Sequence, residues 1–275
     1  MDELMARSAS TKTIEDFGEQ WLRFRDSPGY YGSAKLLADI FGPLLPIEEL
    51  AGWRVADIGS GTGRVVNMLL DAGAKHVYAV EPSAAMKVLQ TNIAQRADQV
   101  TCIADVGERL PADLDLDLIV SIGVIHHIPD PSTSLRAAYA ALRPGGKLLI
   151  WVYGKEGNEG YLRIALPLRR LTTHVPHSVL AGISHVGAVA LDSYIWLCRF
   201  LPLPMRTYMR EVLAQFPRVT RRLTIYDQLN PEYAKYYTQA EARDLLTSGG
   251  LEEVKVYHRH GYSWTVIGTK PVRDK

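Results

Sequence analysis

The sequence predicts an α/β fold built on a mostly parallel sheet with an antiparallel edge. Between residues 53 and 153, short β-branched runs alternate with helix-length segments, the pattern of βαβ units. The runs are mostly apolar rather than alternating, as in strands that helices cover on both faces. The predicted strands are residues 54–58, 76–80, 99–103, 116–122 and 147–153, and the predicted helices are 63–72, 83–94 and 132–142, the last followed by a turn at Arg143-Pro144-Gly145-Gly146.

The alternation of strands and helices ends after Gly154. From there to about residue 230 the sequence has helical periodicity, which prolines at 167, 176, 202, 204 and 217 interrupt. Thr238 and Glu241 then predict a capping box for a helix over 238–248, followed by edge strands at 253–258 and 262–269. The chain therefore divides into an N-terminal helical segment (1–52), a core (53–154 and 231–275) and a helical cap inserted after the fifth strand (155–230).

Composition excludes several classes of protein. The 31 basic and 30 acidic side chains give a net charge of +1, so no global field gathers nucleic acid, and none is expected as a partner. Cys102 and Cys198 lack metal-ligand spacing, so neither a metal nor a disulfide framework is expected. Because the first ten residues lack the apolar core of a signal peptide, a cytoplasmic location is expected.

A glycine-rich turn follows the first predicted strand in VADIGSGTGR. Glycines at 59, 61 and 63 allow a tight turn and let a ligand approach the backbone. The loop could hold a dinucleotide, but in the dinucleotide fingerprint the third glycine comes one residue later, where this chain has Arg64. Glu81, at the end of the run HVYAV, stands where an acidic side chain accepts hydrogen bonds from ribose hydroxyls.

The order of these motifs resembles the class I S-adenosylmethionine (SAM) dependent methyltransferases, which have a Rossmann-like fold. VADIGSGTGRVVNMLLDAGAKHVYAVEPS is similar to their first two motifs. CIADVGERLP, DLDLIVSIGVIHHIPDP and LRPGGKLLIWVYG are similar to the segments that follow. The resemblance covers residues 53–154 and the last helix and strands.

The resemblance implies a cofactor site for SAM. The loop would contact the amino-acid portion of SAM, with Asp57 orienting its ammonium group. Glu81, beside Pro82, would bind ribose, Asp105 and Val106 would flank adenine, and Ile122 and Val124 would line the sulfonium end. The loop residues are Gly59, Ser60, Gly61, Thr62 and Gly63.

IEDFGEQW is similar to the N-terminal stretch of some bacterial methyltransferases that act on small molecules or sugar-containing precursors. In these relatives the aromatic helix folds over the cofactor, so Phe17, Gln20 and Trp21 are candidate lid residues. Ordinary helix packing explains the same aromatics equally well.

The candidate catalytic residues are His127, Tyr153 and Asp227, at the junction of sheet and cap, with Tyr226 also available there. His126 and His127 follow the fourth strand, at the sheet edge where α/β proteins bind ligands. An imidazole could serve as a general base there, and the alternative is a packing role.

The cap carries ten basic and four acidic residues between 155 and 222. The guanidinium groups of arginine recognise carboxylate or phosphate, so the acceptor could be anionic. The alternative is that these basic residues form a solvated helix face. The stretch VGAVALDSYIWLCRFLPLP contains Asp192 and Arg199 and is too short for comfortable membrane insertion, so a buried cap helix is predicted. Weak interfacial contact with lipid stays open.

These features predict methyl transfer from SAM to a small-molecule acceptor bound by the cap, at oxygen rather than nitrogen, in secondary-metabolite or sugar-containing precursor biosynthesis. Two alternatives remain at this stage. One is a nicotinamide-dependent oxidoreductase, and the other is a SAM-binding module without chemistry.

Overall fold

The computed structural model describes residues 2–172, 175–230 and 233–272, without the side chains of residues 2–10, 164, 170 and 177. Seven strands form one sheet in the order β3-β2-β1-β4-β5-β7-β6. The strands are β1 Arg54–Ile58, β2 His76–Val80, β3 Val100–Ile103, β4 Leu116–Ile122, β5 Leu142–Tyr153, β6 Glu252–Arg259 and β7 Ser263–Thr269.

The helices form three groups along the chain. Two precede the sheet, α1 Asp2–Arg23 and α2 Ala34–Phe41, and three connect its parallel strands, α3 Arg64–Asp71, α4 Met86–Asn92 and α5 Ser132–Ala141. The cap contains α6 Glu159–Thr172, α7 His177–Leu197, α8 Arg206–Glu211 and α9 Arg218–Leu229, and α10 Gln239–Thr247 returns the chain to the sheet.

The predicted fold class is confirmed. Strands β1 to β5 run parallel, and β7 pairs antiparallel with both β5 and β6. The predicted capping box is also confirmed: Thr238 Oγ1 accepts from Glu241 N–H, and the Glu241 carboxylate accepts from Thr238 N–H.

Two local predictions are wrong. The predicted turn after α5 is part of β5, because Leu142 already pairs with Leu116 and residues 143–146 bulge outward before pairing resumes at Lys147. Pro167 does not interrupt the cap's first helix but lies inside α6. Proline removes one backbone donor, and a helix anchored by packing elsewhere can continue through it.

The hydrophobic core lies on both faces of the sheet. One face packs against α2, α3 and α4 and against residues of α7 and α8, and the other packs against α5 and α10. A third, smaller cluster joins α1 to α7 and α9 through Phe24, Leu180 and Leu223. The N-terminal helix and the cap therefore pack against each other.

Candidate active site

A cavity of about 720 Å³ lies at the carboxyl ends of β1, β2, β4 and β5. Its walls come from the glycine loop and from the ends of these strands, from α1, and from all four helices of the cap. The volume lies within the roughly 300–1,000 Å³ of small-molecule sites. The core, the N-terminal segment and the cap thus enclose one site.

The glycine loop needs glycine for different reasons at its three positions. All three have positive φ: +80° at Gly59, +52° at Gly61 and +81° at Gly63. A Cβ on Gly59 would lie 2.3 Å from Val124, and one on Gly63 would press against α4. A Cβ on Gly61 would instead point at the Trp21 indole, 3.1 Å away, so this glycine lies directly against α1.

Glu81 is buried and bound to the loop. One carboxylate oxygen accepts from Gly61 N–H at 2.8 Å, and the other accepts from Ser83 N–H at 2.9 Å. Each oxygen keeps further acceptor capacity on the cavity side. Glu81 therefore holds the loop closed and can still accept hydrogen bonds from hydroxyl groups.

Asp57 lies behind the loop and not on the cavity wall. Its Oδ2 is buried and has no hydrogen-bond partner in the described part of the chain. Burial raises the pKa of Asp57 to about 7, although Ser60 and Arg64 oppose this shift. A buried carboxylate with one unpartnered oxygen favours a nearby cation, so this residue fits the ammonium group that the resemblance implies.

Nine of the twelve predicted cofactor residues line the cavity: Gly59, Ser60, Gly61, Thr62, Glu81, Pro82, Val106, Ile122 and Val124. Asp57, Gly63 and Asp105 are not among its lining residues. Asp105 accepts a hydrogen bond from Val106 N–H at 2.8 Å and lies 3.5 Å from Arg109. Its carboxylate is thus engaged locally, and the wall at this end consists of Val106, Gly107 and Glu108.

The candidate lid residues lie in two places. Phe17 and Trp21 line the cavity, whereas Gln20 is fully buried behind the wall. Gln20 donates to Asp227 Oδ1 at 2.8 Å and accepts from Asn230 at 3.1 Å. Gln20 therefore ties α1 to the end of the cap.

His127 lies on the cavity wall with a defined tautomer. Its Nδ1 is 2.8 Å from the carbonyl oxygen of Tyr233. A carbonyl only accepts hydrogen bonds, so Nδ1 carries the hydrogen and Nε2 carries the free lone pair. Burial lowers the pKa of His127 to about 4, which keeps the ring neutral near pH 7.

His126 and Tyr226 do not line the cavity. The His126 ring packs 3.9 Å from the Tyr153 ring, and burial lowers its pKa well below the ordinary value. Tyr226 is buried against Phe24. Of the two histidines, only His127 can meet a ligand.

Asp227 and Tyr153 form a hydrogen-bonded pair on the wall. The Tyr153 hydroxyl donates to Asp227 Oδ2 at 3.0 Å and accepts from Gln228 at 2.8 Å. Burial and the Asp227 charge raise the pKa of Tyr153 well above 10. Tyr153 therefore stays protonated and acts as a donor, which makes it unsuited to the role of base.

Sequence reasoning missed a polar network on the cap side. Gln228 accepts from Tyr161 at 2.8 Å, and buried Arg169 donates to the Gln228 carbonyl at 2.9 Å and to the Tyr236 hydroxyl at 3.0 Å. The Tyr236 ring stacks on Tyr153 at 5.3 Å. The one available signal was the tyrosine-rich run just before Thr238, where the chain returns to the sheet.

A second missed group stands at the cavity wall where β6 ends. Arg259 lines the cavity and donates from Nε to Asp39 at 2.9 Å, and it also contacts the Tyr262 hydroxyl. Within the ranges that the structure describes, no cluster of three or more His, Cys, Asp or Glu side chains could hold a metal. The absence of a metal from the chemistry stays a prediction.

The sheet order, the glycine loop and the acidic residue after β2 define a class I SAM-dependent methyltransferase domain. Residues 56–150 match the family model described as a methyltransferase domain. This domain is therefore of the class I SAM-dependent methyltransferase type, with SAM as its cofactor, and a nicotinamide-dependent oxidoreductase is set aside.

Among curated proteins, the chain is 30% identical over 251 residues to phosphoethanolamine N-methyltransferase 2 of Caenorhabditis elegans, covering 89% of this chain and 53% of that protein. It is 36% identical over 121 residues to a tRNA U34 carboxymethyltransferase of Trichlorobacter lovleyi, covering 42% and 37%. The chain spans 36–38% of the first curated relatives it matches.

Among solved structures, the chain is similar to Burkholderia thailandensis 1,6-didemethyltoxoflavin-N1-methyltransferase, solved with bound 1,6-didemethyltoxoflavin and S-adenosylhomocysteine. The TM-score is 0.57 at 16% identity, and the match covers 97% of this chain and 89% of that one. At this identity the likeness supports the fold alone.

Proposed function

We propose that this protein transfers the methyl group of SAM to an oxygen atom of a small-molecule acceptor, with His127 as the general base. The observation that carries the proposal is the free Nε2 lone pair of His127 on the cavity wall, fixed by the bond from Nδ1 to Tyr233. A hydroxyl acceptor must lose its proton as the new bond forms, whereas a neutral amine attacks with its own lone pair.

Residues at the carboxyl ends of β1 and β2 would hold the cofactor. The loop from Gly59 to Gly63, with Asp57 behind it, would bind the amino-acid portion, and Glu81 would accept the ribose hydroxyls. When bound, SAM supplies an electrophilic methyl group for direct displacement. Phe17 and Trp21 on α1 would cover this part of the cavity and exclude water.

His127 would take the proton of the acceptor hydroxyl on Nε2. Its pKa of about 4 makes the neutral ring available at physiological pH but weakens it as a base. The Asp227 charge raises the pKa of His127 and so stabilises the imidazolium that forms. Asp227 would thus assist the base, while Tyr153 holds Asp227 in place.

The acceptor would bind between the sheet and the cap, in residues 155–230. The cap contributes apolar wall residues such as Leu168, Ile183 and Leu191. Its Tyr161 and Gln228 form a polar end of the cavity together with Tyr236, which follows the cap. This arrangement suits a largely apolar molecule with one polar or anionic group. Its place in secondary-metabolite or sugar-containing precursor biosynthesis stays a prediction.

One curated relative is named as a phosphoethanolamine N-methyltransferase, so an amine is the competing acceptor, and the Asp227 carboxylate would suit an ammonium group.

Assays that follow transfer of label from radiolabelled SAM to panels of phenols, sugars, carboxylates and amines distinguish O-methylation from N-methylation. We expect label in a hydroxyl compound. Label in amines alone would contradict O-methylation, and SAM binding without any transfer would support a non-catalytic SAM-binding module. Label in tRNA would contradict the small-molecule acceptor.

Cofactor affinity is expected to rise with pH around neutrality. In the free protein Asp57 titrates near 7, and a ligand ammonium favours its ionised form, so binding releases a proton. Below pH 7 the affinity for S-adenosylhomocysteine should fall by up to about tenfold per pH unit, and above pH 7 it should level off. Calorimetry between pH 6 and 8 measures this slope.

The matched variant is Asp57→Asn, which cannot ionise. It should bind more weakly at pH 8 and show no slope. The same slope in Asp57→Asn would assign the titration to another group.

Arg169 is expected to act on the acceptor through Tyr236 and Gln228. Because Arg169 is buried, charge reversal would disrupt the cap, so Arg169→Gln is the better variant. Loss of hydrogen bonds to a charged group should raise the acceptor KM roughly 10-fold or more and leave SAM affinity unchanged. Steady-state kinetics and calorimetry measure the two effects.

Arg163→Gln, at an exposed position of the same helix, is the control and should change neither quantity. Arg169→Lys, which keeps the charge, should recover part of the KM. Equal losses of SAM affinity and acceptor affinity would contradict the division between core and cap. The side chain of the neighbouring Arg170 lies outside the described residues.

A further inference from the structure

The outer side of α7 and the turn after it form a continuous apolar surface, here called the cap face. From residue 178 to residue 198, the charged or imidazole side chains are His185 and Asp192, and Asp192 is paired with arginines of α9. Phe200 is 67% exposed, and Trp196 packs edge-on against it at 5.2 Å, with both rings open to solvent. The exposed apolar residues of the face are Val179, Ile183, Val186, Val189, Trp196, Leu197, Phe200 and Leu201.

The cap face is not the surface of an ordinary core helix. Among the described helices, the segment Ser178–Leu197 is long and apolar enough to cross a membrane, yet only 28% of its most apolar window is buried. The prediction of a buried cap helix is therefore wrong for the outer side of α7. Monomeric proteins rarely leave an apolar surface of this length in water, so the surface requires a partner.

The inner side of α7 shows that the helix stays on the protein. Leu180 and Ala181 belong to the small core shared with α1 and α9, and Leu191, Ile195 and Cys198 belong to the main core. A helix that crossed a bilayer would have to leave both cores. The partner can therefore contact only the outer face of α7. The helix, about 30 Å long, would lie flat against the partner.

The charges around the cap face are complementary to an anionic surface. Between residues 155 and 222 the cap has ten basic and four acidic side chains, and one of the acidic ones, Asp192, is paired with Arg218 and Arg221 on α9. Arg199, which precedes Phe200 in the chain, and Arg210 of α8 are exposed. An apolar face with aromatic residues and flanking arginines is the composition of helices that lie in the headgroup region of membranes.

We propose that the cap face docks on a lipid bilayer that contains anionic lipid, with α7 parallel to the membrane plane. Trp196 and Phe200 enter the boundary between headgroups and acyl chains, and the neighbouring arginines meet the lipid phosphates. Ile183 and Leu168 are exposed and also line the cavity, so the site borders the docked face. If the proposed function holds, the acceptor is an amphiphilic molecule drawn from the membrane.

Vesicle sedimentation with the full chain tests the docking. The protein should pellet with vesicles of phosphatidylcholine and phosphatidylglycerol, less with phosphatidylcholine alone, and less in high salt. The double variant Val186→Glu with Phe200→Glu should lower the partition coefficient roughly tenfold or more. Neither residue lines the cavity, so S-adenosylhomocysteine affinity should stay unchanged and report that the variant is folded.

The matched control is Val272→Glu, because Val272 is 70% exposed and Val186 is 71% exposed, but Val272 lies beyond β7. Equal vesicle binding by the parent and the double variant, or no binding by the parent, would overturn the proposal. A concentration-dependent dimer that Val186→Glu dissociates would reassign the face to a second copy of the chain. If the protein methylates a soluble acceptor but does not bind vesicles, the docking proposal is wrong and the proposed function stands.

Discussion

Replacing His127 by asparagine is expected to lower the single-turnover rate of methyl transfer by roughly 10²- to 10⁴-fold. The asparagine amide can donate to the Tyr233 carbonyl as Nδ1 does, so the wall keeps its shape. What is lost is the Nε2 lone pair that would receive the proton. SAM affinity should be unchanged, and rapid-quench assays with labelled SAM measure the rate once an acceptor is known.

The pH profile gives an independent test of the same role. His127 acts as a base only when neutral, so the parent rate should be level above about pH 6 and fall as the pH approaches 4. The asparagine variant should lack this acid limb. The control is His126→Phe, which changes a neighbouring buried ring that does not line the cavity. A His127→Asn rate within a few-fold of the parent would return His127 to a packing role.

Replacing Gly61 by valine is expected to abolish binding of SAM and S-adenosylhomocysteine. The Cβ would point into the space between the loop and the Trp21 indole, and φ at this position is +52°, where a β-branched residue is strained. The Gly61 N–H bond to Glu81 would also be disturbed, which affects the ribose end of the site. Calorimetry with both ligands measures the loss.

Gly52→Val separates backbone strain from obstruction of the site. Gly52 has φ +82°, and no atom lies within 4 Å of a Cβ placed there, so it carries the strain without touching the cavity. We expect Gly52→Val to lose stability in thermal unfolding and to keep its ligand affinity. Unchanged SAM affinity in Gly61→Val would contradict the assignment of the loop to the cofactor site.

The sequence by itself determined the sheet and the ligand loop. The boundaries of β1, β2 and β4 follow from apolar β-branched runs, and the loop follows from three glycines directly after a strand. These signals are local, because strand periodicity and positive φ are properties of adjacent residues. The bulge at residues 143–146 escaped prediction because it depends on pairing with β4 and with Lys270, just after β7.

Only the tertiary structure decided what the polar side chains of the site can do. The tautomer of His127 is set by a carbonyl 106 positions away, and Asp227 is held by Gln20, 207 positions away. Tyr153 became a donor because burial and Asp227 raise its pKa. Proton positions and charge states depend on burial and on partners that the fold brings together from distant parts of the chain, and no local pattern records those contacts.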